Sequence, residues 1–422
     1  MNENFKAFLR PYIRPYQRSL KELRKDTVRL LLYPVRKLPV SSEVFGPPKG
    51  FYTTVKEWLA KEPGTNGSKP YVEEIFPEHK LYRNKPKTLE TKVHWKIRKE
   101  YKHQAPAAFV ASVKNARLWV NHNFAGHVDS MAVISPEDKL IGEISYEFAE
   151  DLGKSIIMSK LRLSPAHYFP GKAVSLTTVK GEQFFHWILD ILPKLAIMRG
   201  AGMNCNMLDY VIVNSTKSRF MRETLALAGV PMEKVITTDD HPHIKVDELL
   251  VPSKPGWTGN PPAWSIEFLR DLFLPTIPED TSHLPKRIYI SRAKAPVRKV
   301  KNESAVIDYV QKAGFTSVLL EDFSITDQIA MFAGAEAIIA PHGAGLTHLS
   351  FCKPGTKIIE FFSPLYVNAC FYSLASVVNL DYYYLLGEGK SPKEGVDLEI
   401  NIADIELDIA KLKATVEFAG LG

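Results

Sequence analysis

Short apolar runs alternate with amphipathic stretches in the C-terminal part of the chain, after residue 262. Apolar runs bounded by turn residues predict buried strands, and apolar residues at three- and four-residue steps predict helices. The predicted strands are 287–291, 317–320, 337–340 and 357–361, and the predicted helices are 265–274, 304–313 and 326–333. This alternation predicts βαβ units and a parallel sheet, whose ligands bind beyond the carboxyl ends of the strands.

The preceding part of the chain begins with a series of short strands. Strands are predicted at 107–113, 116–120, 131–134, 139–143, 173–179, 210–214, 235–238 and 249–252, and helices at 182–195 and 217–229. Pro193 is expected to kink or restart the first of these helices, because proline has no N–H to donate. The stretch 255–262 is rich in Pro and Gly, which predicts a linker between two domains.

A chain of 422 residues is long enough for two domains and an appendage. The predicted fold class is α/β. We expect an irregular N-terminal segment at 1–88, one α/β domain at 89–262 and a second at 263–402. A last helix at about 403–418 could pack back on the first of these domains.

The formal net charge of +7 is carried by the first 40 residues, which hold ten Lys or Arg and three acidic residues. Within this arm, residues 16–33 have the pattern of an amphipathic basic helix. Such a helix could lie on an anionic membrane surface through residues 1–40. It could equally pack on the protein itself or on a second subunit, which leaves a homo-oligomer open. Nucleic acid is not expected as a partner, because the rest of the chain is electrically balanced.

The sequence has neither an apolar run of 18 residues nor a charged start followed by an apolar block, which argues against a membrane span and a secretory signal. Its three cysteines form no paired framework, so we expect reduced thiols and a cytoplasmic protein that could contact the inner membrane surface. Residues 239–243 contain Asp and His side chains, but Pro242 and the acidic neighbours favour a solvated loop. No metal site is therefore predicted.

A glycine turn follows the strand predicted at 337–340, in the sequence Pro341-His342-Gly343-Ala344-Gly345-Leu346. Two glycines let the backbone turn tightly and approach a ligand closely, and the first amides of a following helix would face a phosphate. No third glycine completes a dinucleotide-binding fingerprint. The motif by itself is therefore compatible with a phosphate site and with an ordinary turn.

Charged residues near the strand ends add candidate chemistry. Arg292 follows the strand 287–291, and Arg298 lies in a basic loop, where guanidinium groups would suit phosphate oxygens. Glu360 could accept hydrogen bonds from ribose hydroxyls. His186 and Asp190 share one helical face among apolar neighbours, so they either perform chemistry or lock the core.

Several of these segments resemble glycosyltransferase family 61 in their order and spacing. The similar residues are Arg287-Ile-Tyr-Ile-Ser-Arg292, Arg298, Asn302-Glu303, Glu321, Ala335 through His342-Gly-Ala-Gly-Leu346 to Lys353-Pro-Gly-Thr356, and Glu360. The earlier segment Phe185-His186-Trp187-Ile-Leu-Asp190-Ile-Leu-Pro193 is similar to the family's Tyr-His-Trp-Leu-x-Asp-x-Leu-Pro. The resemblance covers about residues 180–365, and residues 1–90 take no part in it.

The resemblance implies a GT-B architecture, in which two Rossmann-like domains face each other across a cleft. It also implies inverting transfer of a sugar from a nucleotide-sugar donor, without an obligatory metal or other cofactor. The donor would bind the C-terminal domain and the acceptor the N-terminal one. The sequence contains no Asp-x-Asp, the usual metal-diphosphate signature of the other glycosyltransferase fold. We expect a UDP-sugar donor, a glycan or lipid-linked acceptor, and a role in surface polysaccharide or glycoconjugate synthesis.

This reaction assigns roles to the candidate residues. Asp190 would be the catalytic base, with His186 as its orienter or as the base itself. The donor-binding residues would be Arg292, Arg298, Asn302, His342, Gly343, Ala344, Gly345, Leu346 and Glu360.

Two other classes of protein stay open at this point. One is a nucleotide- or glycan-binding protein without catalysis. The other is a nicotinamide-dependent oxidoreductase or epimerase, which the missing third glycine disfavours.

Overall fold

The computed structural model describes residues 23–62, 70–147, 151–398 and 400–422. The start of the predicted basic helix, before residue 23, and the loop at 63–69 lie outside the described residues. Contacts between residues divide the chain into unit 1, Met1–Pro77 with Ala107–Pro255, and unit 2, Glu78–Pro106 with Gly256–Gly422. The division after Pro255 falls at the start of the Pro/Gly-rich stretch.

The helices and strands are numbered along the chain. The strands are β1 Gly50–Tyr52, β2 Tyr71–Phe76, β3 His79–Tyr82, β4 Lys102–Ala105, β5 Ala108–Lys114, β6 Arg117–His122, β7 Val128–Ile134, β8 Lys139–Ile141, β9 Tyr146–Glu147, β10 His167–Ser175, β11 Tyr210–Val213, β12 Val235–Thr237, β13 His243–Pro252, β14 Arg287–Ile290, β15 Thr316–Val318, β16 Ala337–Pro341, β17 Lys357–Phe362 and β18 Asp381–Leu386. The helices are α1 at 23–32, α2 Val55–Lys61, α3 Trp95–Lys99, α4 Phe184–His186, α5 Lys194–Gly200, α6 Arg219–Leu227, α7 Ala263–Phe273, α8 Glu303–Lys312, α9 Ile325–Gly334, α10 Cys370–Val378 and α11 Ile409–Phe418.

The sheet of unit 1 has eleven strands and is mixed. Strands β13, β10, β11 and β12 are neighbours and run parallel. Strands β5 and β6 both pair antiparallel with β13, on successive stretches of it. The two strands follow each other in the same direction along β13, separated only by an interruption at Asn115, whose φ is 47° and whose N–H donates to the Asp247 carbonyl at 2.7 Å. Unit 1 therefore departs from the purely Rossmann-like domain that the resemblance implied.

The main sheet of unit 2 is parallel throughout, with the order β15-β14-β16-β17-β18. All four strands predicted from the apolar runs are present in it. Strand β18 and helix α10 were not predicted, because their aromatic-rich segments lack clear turn signals. This sheet matches the prediction of βαβ units and parallel strands, whereas the sheet of unit 1 is mixed.

Helix α11 packs on this parallel sheet. Its Leu412 and Val416 belong to the same buried core as Tyr289 of β14 and Ile359 of β17. Both apolar positions point into the core of unit 2, which corrects the expectation that the last helix packs back on the N-terminal domain.

The segment 78–106 also belongs to unit 2, although it precedes most of unit 1 in the chain. Lys87 forms a parallel β-bridge with Tyr383 of β18. The guanidinium of Arg83 donates to the Asn260 side chain at 2.7 Å. Residues up to 88 were predicted as irregular and residues 89–106 were assigned to the first α/β domain, and the second assignment is corrected here. Backbone and side-chain bonds between segments far apart in the chain cannot be read from local sequence.

Helix α1 packs on unit 1 through a part of its basic face. Arg29 and Leu32 are buried, and the Arg29 guanidinium donates to the Lys154 carbonyl. Leu30 and Leu31 of the same helix are exposed. Among the described residues, no helix combines the length and apolar character that a membrane span requires.

Candidate functional site

The parallel sheet of unit 2 has a topological switch point between β14 and β16. These strands are neighbours in the sheet although β15 lies between them in the chain. The connections that leave their carboxyl ends run to opposite faces, which opens a crevice at the sheet edge. Arg292 lies two residues after β14, and His342 lies directly after β16. The topology therefore brings these two predicted donor-site residues to one crevice.

Gly343 lies in close contact with the Arg292 side chain. A Cβ added to Gly343 would collide with the Arg292 guanidinium, and one added to Gly345 would lie 2.7 Å from Cδ1 of Leu320. Gly343 has a φ of −177°, an extended conformation that any residue adopts, so backbone strain does not require glycine there. The glycine is needed for space. The close approach expected from the sequence is made by an arginine of the same chain.

The helical segment that follows the turn is a 3₁₀-helix, Ala344–Phe351. The Leu346 N–H donates to the Gly343 carbonyl at 3.0 Å. The Leu346 side chain is buried, whereas Ala344 and Gly345 are only half-buried. The backbone of Ala344 and Gly345 is therefore the part of the turn that a ligand could reach.

Arg292 and Arg298 tie the basic loop to the glycine turn. Arg292 donates from Nη2 to the Val297 carbonyl at 2.9 Å and from Nε to the Arg298 carbonyl at 3.2 Å. Arg298 donates from Nε to the His342 carbonyl at 3.2 Å and from Nη1 to the Asn401 carbonyl at 2.7 Å. The pKa of Arg292 is lowered to about 10, mainly by burial of its side chain and in second place by the nearby charge of Arg298. Both guanidiniums are thus held in place by backbone carbonyls.

The positive charges of these two arginines lack a close acidic partner. Within the described part of the chain, neither Arg292 nor Arg298 has a carboxylate oxygen within 4.0 Å of a guanidinium nitrogen. The Arg298 guanidinium lies over the Tyr366 ring, 5.6 Å from its centroid. Arg298 also has a φ of 56°, which is uncommon for a residue other than glycine. The loop therefore holds two cations together at the crevice.

His342 is oriented by a buried carboxylate. Its Nδ1 lies 2.6 Å from Oε1 of Glu360, and the Tyr382 hydroxyl donates to Oε2 of Glu360 at 2.5 Å. Burial and the adjacent Glu360 raise the pKa of Tyr382. A carboxylate accepts both bonds, so the imidazole donates from Nδ1 and its Nε2 remains on the other side of the ring. The Phe362 ring stacks on the imidazole at a centroid distance of 5.3 Å.

Two predicted donor-site residues have other functions in this structure. Glu360 is fully buried and both its oxygens are engaged, so it orients His342 and does not face a ribose. Asn302 donates to the Leu407 carbonyl at 2.7 Å and accepts from the Leu407 N–H at 3.1 Å, which anchors the segment before α11. Glu360 was a candidate from its place near a strand end and Asn302 from the family resemblance, and neither argument could show which way the side chain points.

His186 and Asp190 form a hydrogen-bonded pair in unit 1. The His186 Nδ1 lies 2.7 Å from Oδ2 of Asp190, and both residues are buried. Residues Trp187–Ile191 form a π-helical turn, in which the Leu192 N–H donates to the Trp187 carbonyl at 3.1 Å. This π-helical turn ends two residues before Pro193, which has no N–H to donate to the preceding turn of the helix. The predicted kink is therefore a π-turn, and the predicted pair is present.

Two lysines adjoin this pair and were not predicted. Lys194 is fully buried and donates to the Thr177 carbonyl at 2.6 Å. Its Nζ lies 5.2 Å from the Tyr146 ring centroid, and the Nζ of Lys254 lies 4.6 Å from the same centroid. Burial, reinforced by Lys254 and opposed by Asp190, lowers the pKa of Lys194 to about 7. Burial also lowers the pKa of Lys254.

One sequence signal could have revealed Lys194. It lies four residues after Asp190 and eight after His186 in a segment that is otherwise apolar. A helix places such residues on one face. Lys254 and Tyr146 give no such signal, because only the tertiary structure brings them to this helix.

The stretch 239–243 is only partly a solvated loop. His243 begins β13 and is buried, and its Nδ1 lies 2.6 Å from the Ser164 carbonyl oxygen. Burial lowers its pKa to about 4. Asp239 pairs with Lys217 at 3.0 Å. In the described residues, no group of three or more His, Cys, Asp or Glu side chains is placed to hold a metal ion.

Unit 2 is a parallel α/β domain whose polar residues meet at the switch point of its sheet, and unit 1 holds a second buried polar cluster. Comparison with known proteins finds a family match for part of the chain. Residues 184–359 match the family described as Glycosyltransferase 61. This part of the chain is similar to glycosyltransferase family 61, and the matched residues contain the His186–Asp190 pair, both arginines and the glycine turn.

A characterised relative gives more limited information. The chain is similar to the beta-1,2-xylosyltransferase RCN11 of Oryza sativa subsp. japonica, with 28% identity over 93 residues. The match covers 20% of this chain and 17% of the relative. Because it spans only this small share of the relative's length, the activity, substrates and partners of this chain are matters of proposal.

Proposed function

We propose that the protein is an inverting glycosyltransferase, which moves a sugar from a nucleoside-diphosphate donor to a hydroxyl group of a glycan or lipid-linked acceptor. A UDP-sugar is the first donor to test. The proposal includes the GT-B arrangement, independence from a metal ion, and a role in surface polysaccharide or glycoconjugate synthesis. The match of residues 184–359 to glycosyltransferase family 61 supports the reaction class.

One observation carries the proposal furthest. Arg292 and Arg298 are held at the switch-point crevice beside the Gly343 turn, and neither forms a close ion pair with a carboxylate of the described residues. Burying the Arg292 guanidinium, and next holding it near Arg298, costs free energy, as the lowered pKa of Arg292 indicates. A diphosphate would offset this cost, because its oxygens accept the forked N–H donors of a guanidinium.

The donor-side residues would act on the leaving group. As the bond between the sugar anomeric carbon and the diphosphate oxygen breaks, negative charge develops on the diphosphate. The two guanidiniums and the amides of Ala344 and Gly345 would stabilise that charge. His342, oriented by Glu360, would offer its second ring nitrogen to a phosphate or sugar oxygen.

The His186–Asp190 pair would act on the acceptor. The acceptor oxygen forms the new bond to the anomeric carbon in a single displacement, and its hydroxyl proton must go to a base. Asp190 is the proposed base and His186 its orienting partner, and the reverse assignment uses the same hydrogen bond. Burial of both side chains would exclude water from this step.

A nucleotide-binding experiment with a matched control tests the donor site. Arg292→Ala is expected to weaken UDP affinity roughly 10- to 100-fold by calorimetry, the loss of one charge-assisted contact. Arg287→Ala is the control, since Arg287 also donates to backbone carbonyls, those of Ala313 and Leu421, but from the start of β14. Equal UDP affinity in the wild type and Arg292→Ala would reject the crevice as the diphosphate site.

A transfer assay tests the catalytic step. Asp190→Asn is expected to lose transfer from a panel of nucleotide sugars while UDP affinity stays within about twofold of wild type. Full transfer by this variant would remove Asp190 from the mechanism. Wild-type protein that binds nucleotide but transfers from none of the donors would instead favour the non-catalytic binding protein.

A cytoplasmic location with contact to a membrane surface is also proposed, and the exposed leucines of α1 support the membrane contact. A variant with Leu30→Ser and Leu31→Ser is expected to float less with vesicles that contain anionic lipids. Equal flotation of this variant and the wild type would reject membrane contact through α1.

A further inference from the structure

The loop that follows β17 places a tyrosine against two of the candidate donor-site residues. Tyr366 lies four residues after the end of β17, in a turn closed by its own N–H, which donates to the Ser363 carbonyl at 2.9 Å. The Arg298 guanidinium lies over the Tyr366 ring, 5.6 Å from its centroid. The His342 ring meets the same ring in a T-shaped arrangement, at a centroid distance of 5.5 Å. One aromatic ring therefore contacts both residues at the carboxyl end of the sheet.

The hydrogen bonds of Arg298 leave part of its orientation open. Its Nε donates to the His342 carbonyl at 3.2 Å and its Nη1 to the Asn401 carbonyl at 2.7 Å. Its Nη2 has no hydrogen-bond partner in the described part of the chain, so this nitrogen is the one that a phosphate oxygen could bind. Two bonds in the plane of a guanidinium fix its position but not its tilt about the line that joins them. Contact with the face of an aromatic ring restricts that tilt.

An aromatic ring suits this position better than an acid. A carboxylate would hold Arg298 through an ion pair, but it would also neutralise the charge that a diphosphate needs. The Tyr366 ring attracts the cation through its electron-rich face, and the side chain stays neutral because burial raises its pKa. Lys96 shows the contrast, since its Nζ lies 5.9 Å from the same ring centroid but is paired with Asp397. Tyr366 therefore contacts Arg298 and leaves its charge available.

We propose that Tyr366 is a positioning residue of the donor site, which holds the Arg298 guanidinium in the orientation that a nucleoside diphosphate requires. The proposal rests on the proposed function, in which Arg298 binds the diphosphate of the donor. The Tyr366 hydroxyl accepts a long hydrogen bond from the Asn368 side chain, at 3.4 Å. We therefore expect the ring, rather than the hydroxyl, to carry this function.

Calorimetry with UDP tests the function of the ring. Tyr366→Leu is expected to lower UDP affinity roughly five- to tenfold, whereas Tyr366→Phe, which keeps the ring, should stay within about twofold of wild type. Tyr82→Leu is the control and should bind UDP as wild type does, because Tyr82 is an exposed tyrosine of unit 2, on β3. Equal affinity in Tyr366→Leu and wild type would overturn the inference. An equal loss in Tyr366→Phe and Tyr366→Leu would overturn it as well.

A combined variant separates positioning from direct contact with the nucleotide. If Tyr366 acts through Arg298, Tyr366→Leu should change UDP affinity by less than about twofold in protein that already carries Arg298→Ala. A further loss of roughly five- to tenfold in that background would show that the ring acts on the nucleotide independently of Arg298. That result would overturn the positioning role.

A third measurement needs no nucleotide. In protein with ¹⁵N-labelled arginine, the Nε–H signal of Arg298, identified by its loss in Arg298→Ala, reports the hydrogen bond to the His342 carbonyl. Its exchange with water is expected to be faster in Tyr366→Leu than in wild type, and unchanged in Tyr366→Phe and Tyr82→Leu. Unchanged exchange in a folded Tyr366→Leu protein would overturn the inference. Because this readout does not depend on UDP, it separates failure of the inference from failure of the proposed glycosyltransferase activity.

Discussion

Replacement of the buried Lys194 by methionine is expected to change the pH dependence of protein stability. Burial lowers the pKa of Lys194 from 10.5 to about 7 in the folded protein. Between these values the unfolded chain holds a proton that the folded protein does not, so wild-type stability rises with pH across this window. Each pH unit contributes about 1.4 kcal/mol, which amounts to about 3 kcal/mol between pH 7 and pH 9.5.

The methionine variant lacks this gain. It also loses the hydrogen bond to the Thr177 carbonyl, at a cost of about 1–3 kcal/mol that does not depend on pH. The stability of Lys194→Met relative to wild type should therefore fall by about 3 kcal/mol from pH 7 to pH 9.5. In a domain of this size the difference between the two melting temperatures should change by roughly 6–12 °C.

Thermal unfolding of both proteins in a series of buffers measures this quantity. Comparison with wild type removes the effect of every other titrating group, and Lys234→Met serves as the lysine control. A melting-temperature difference for Lys194→Met that stays constant from pH 7 to pH 9.5 would refute the argument. It would show that Lys194 keeps the same protonation state in the folded and unfolded protein.

Two further substitutions test the geometry of unit 2. Gly343→Ala is expected to displace the Arg292 guanidinium and to lower UDP affinity roughly tenfold by calorimetry, whereas Gly334→Ala, where an added Cβ meets nothing within 4 Å, should have no effect. Equal affinities in the two variants would disprove the steric account of Gly343. Glu360→Gln should lower the free energy of unfolding by about 1–3 kcal/mol in urea, because His342 and Tyr382 lose a charged acceptor, and Glu336→Gln on the surface should not. A stability loss in Glu360→Gln no larger than in Glu336→Gln would contradict the proposed hydrogen-bond chain.

The strand pattern of unit 2 could be predicted because each buried parallel strand is a continuous apolar run between turn residues. The four predicted strands are found, and the residues that follow β14 and β16 lie at the switch point. The mixed sheet of unit 1 was less predictable. Its longest strand, β13, was expected only from Leu249, although it begins at His243, because its first half alternates polar and apolar residues.

The His186–Asp190 contact was predictable for a different reason. Residues four apart in a helix are neighbours whatever the rest of the chain does. By contrast, the function of Glu360 was predicted incorrectly. Glu360 lies within β17, two residues before its end, and whether it faces a ligand or His342 depends on the rotamer and on the aromatic residues packed around it.

The sequence by itself determined the periodicity of the elements, the excess charge of the N-terminal arm and the local spacing of the candidate residues, since these depend on neighbours along the chain. Only the tertiary structure decided that Gly343 makes room for Arg292, that α11 packs on unit 2, and that Lys194 and Lys254 meet at Tyr146. Each of these contacts joins residues far apart in sequence. Burial and Coulomb interactions depend on distances in space, and those distances exist only once the chain has folded.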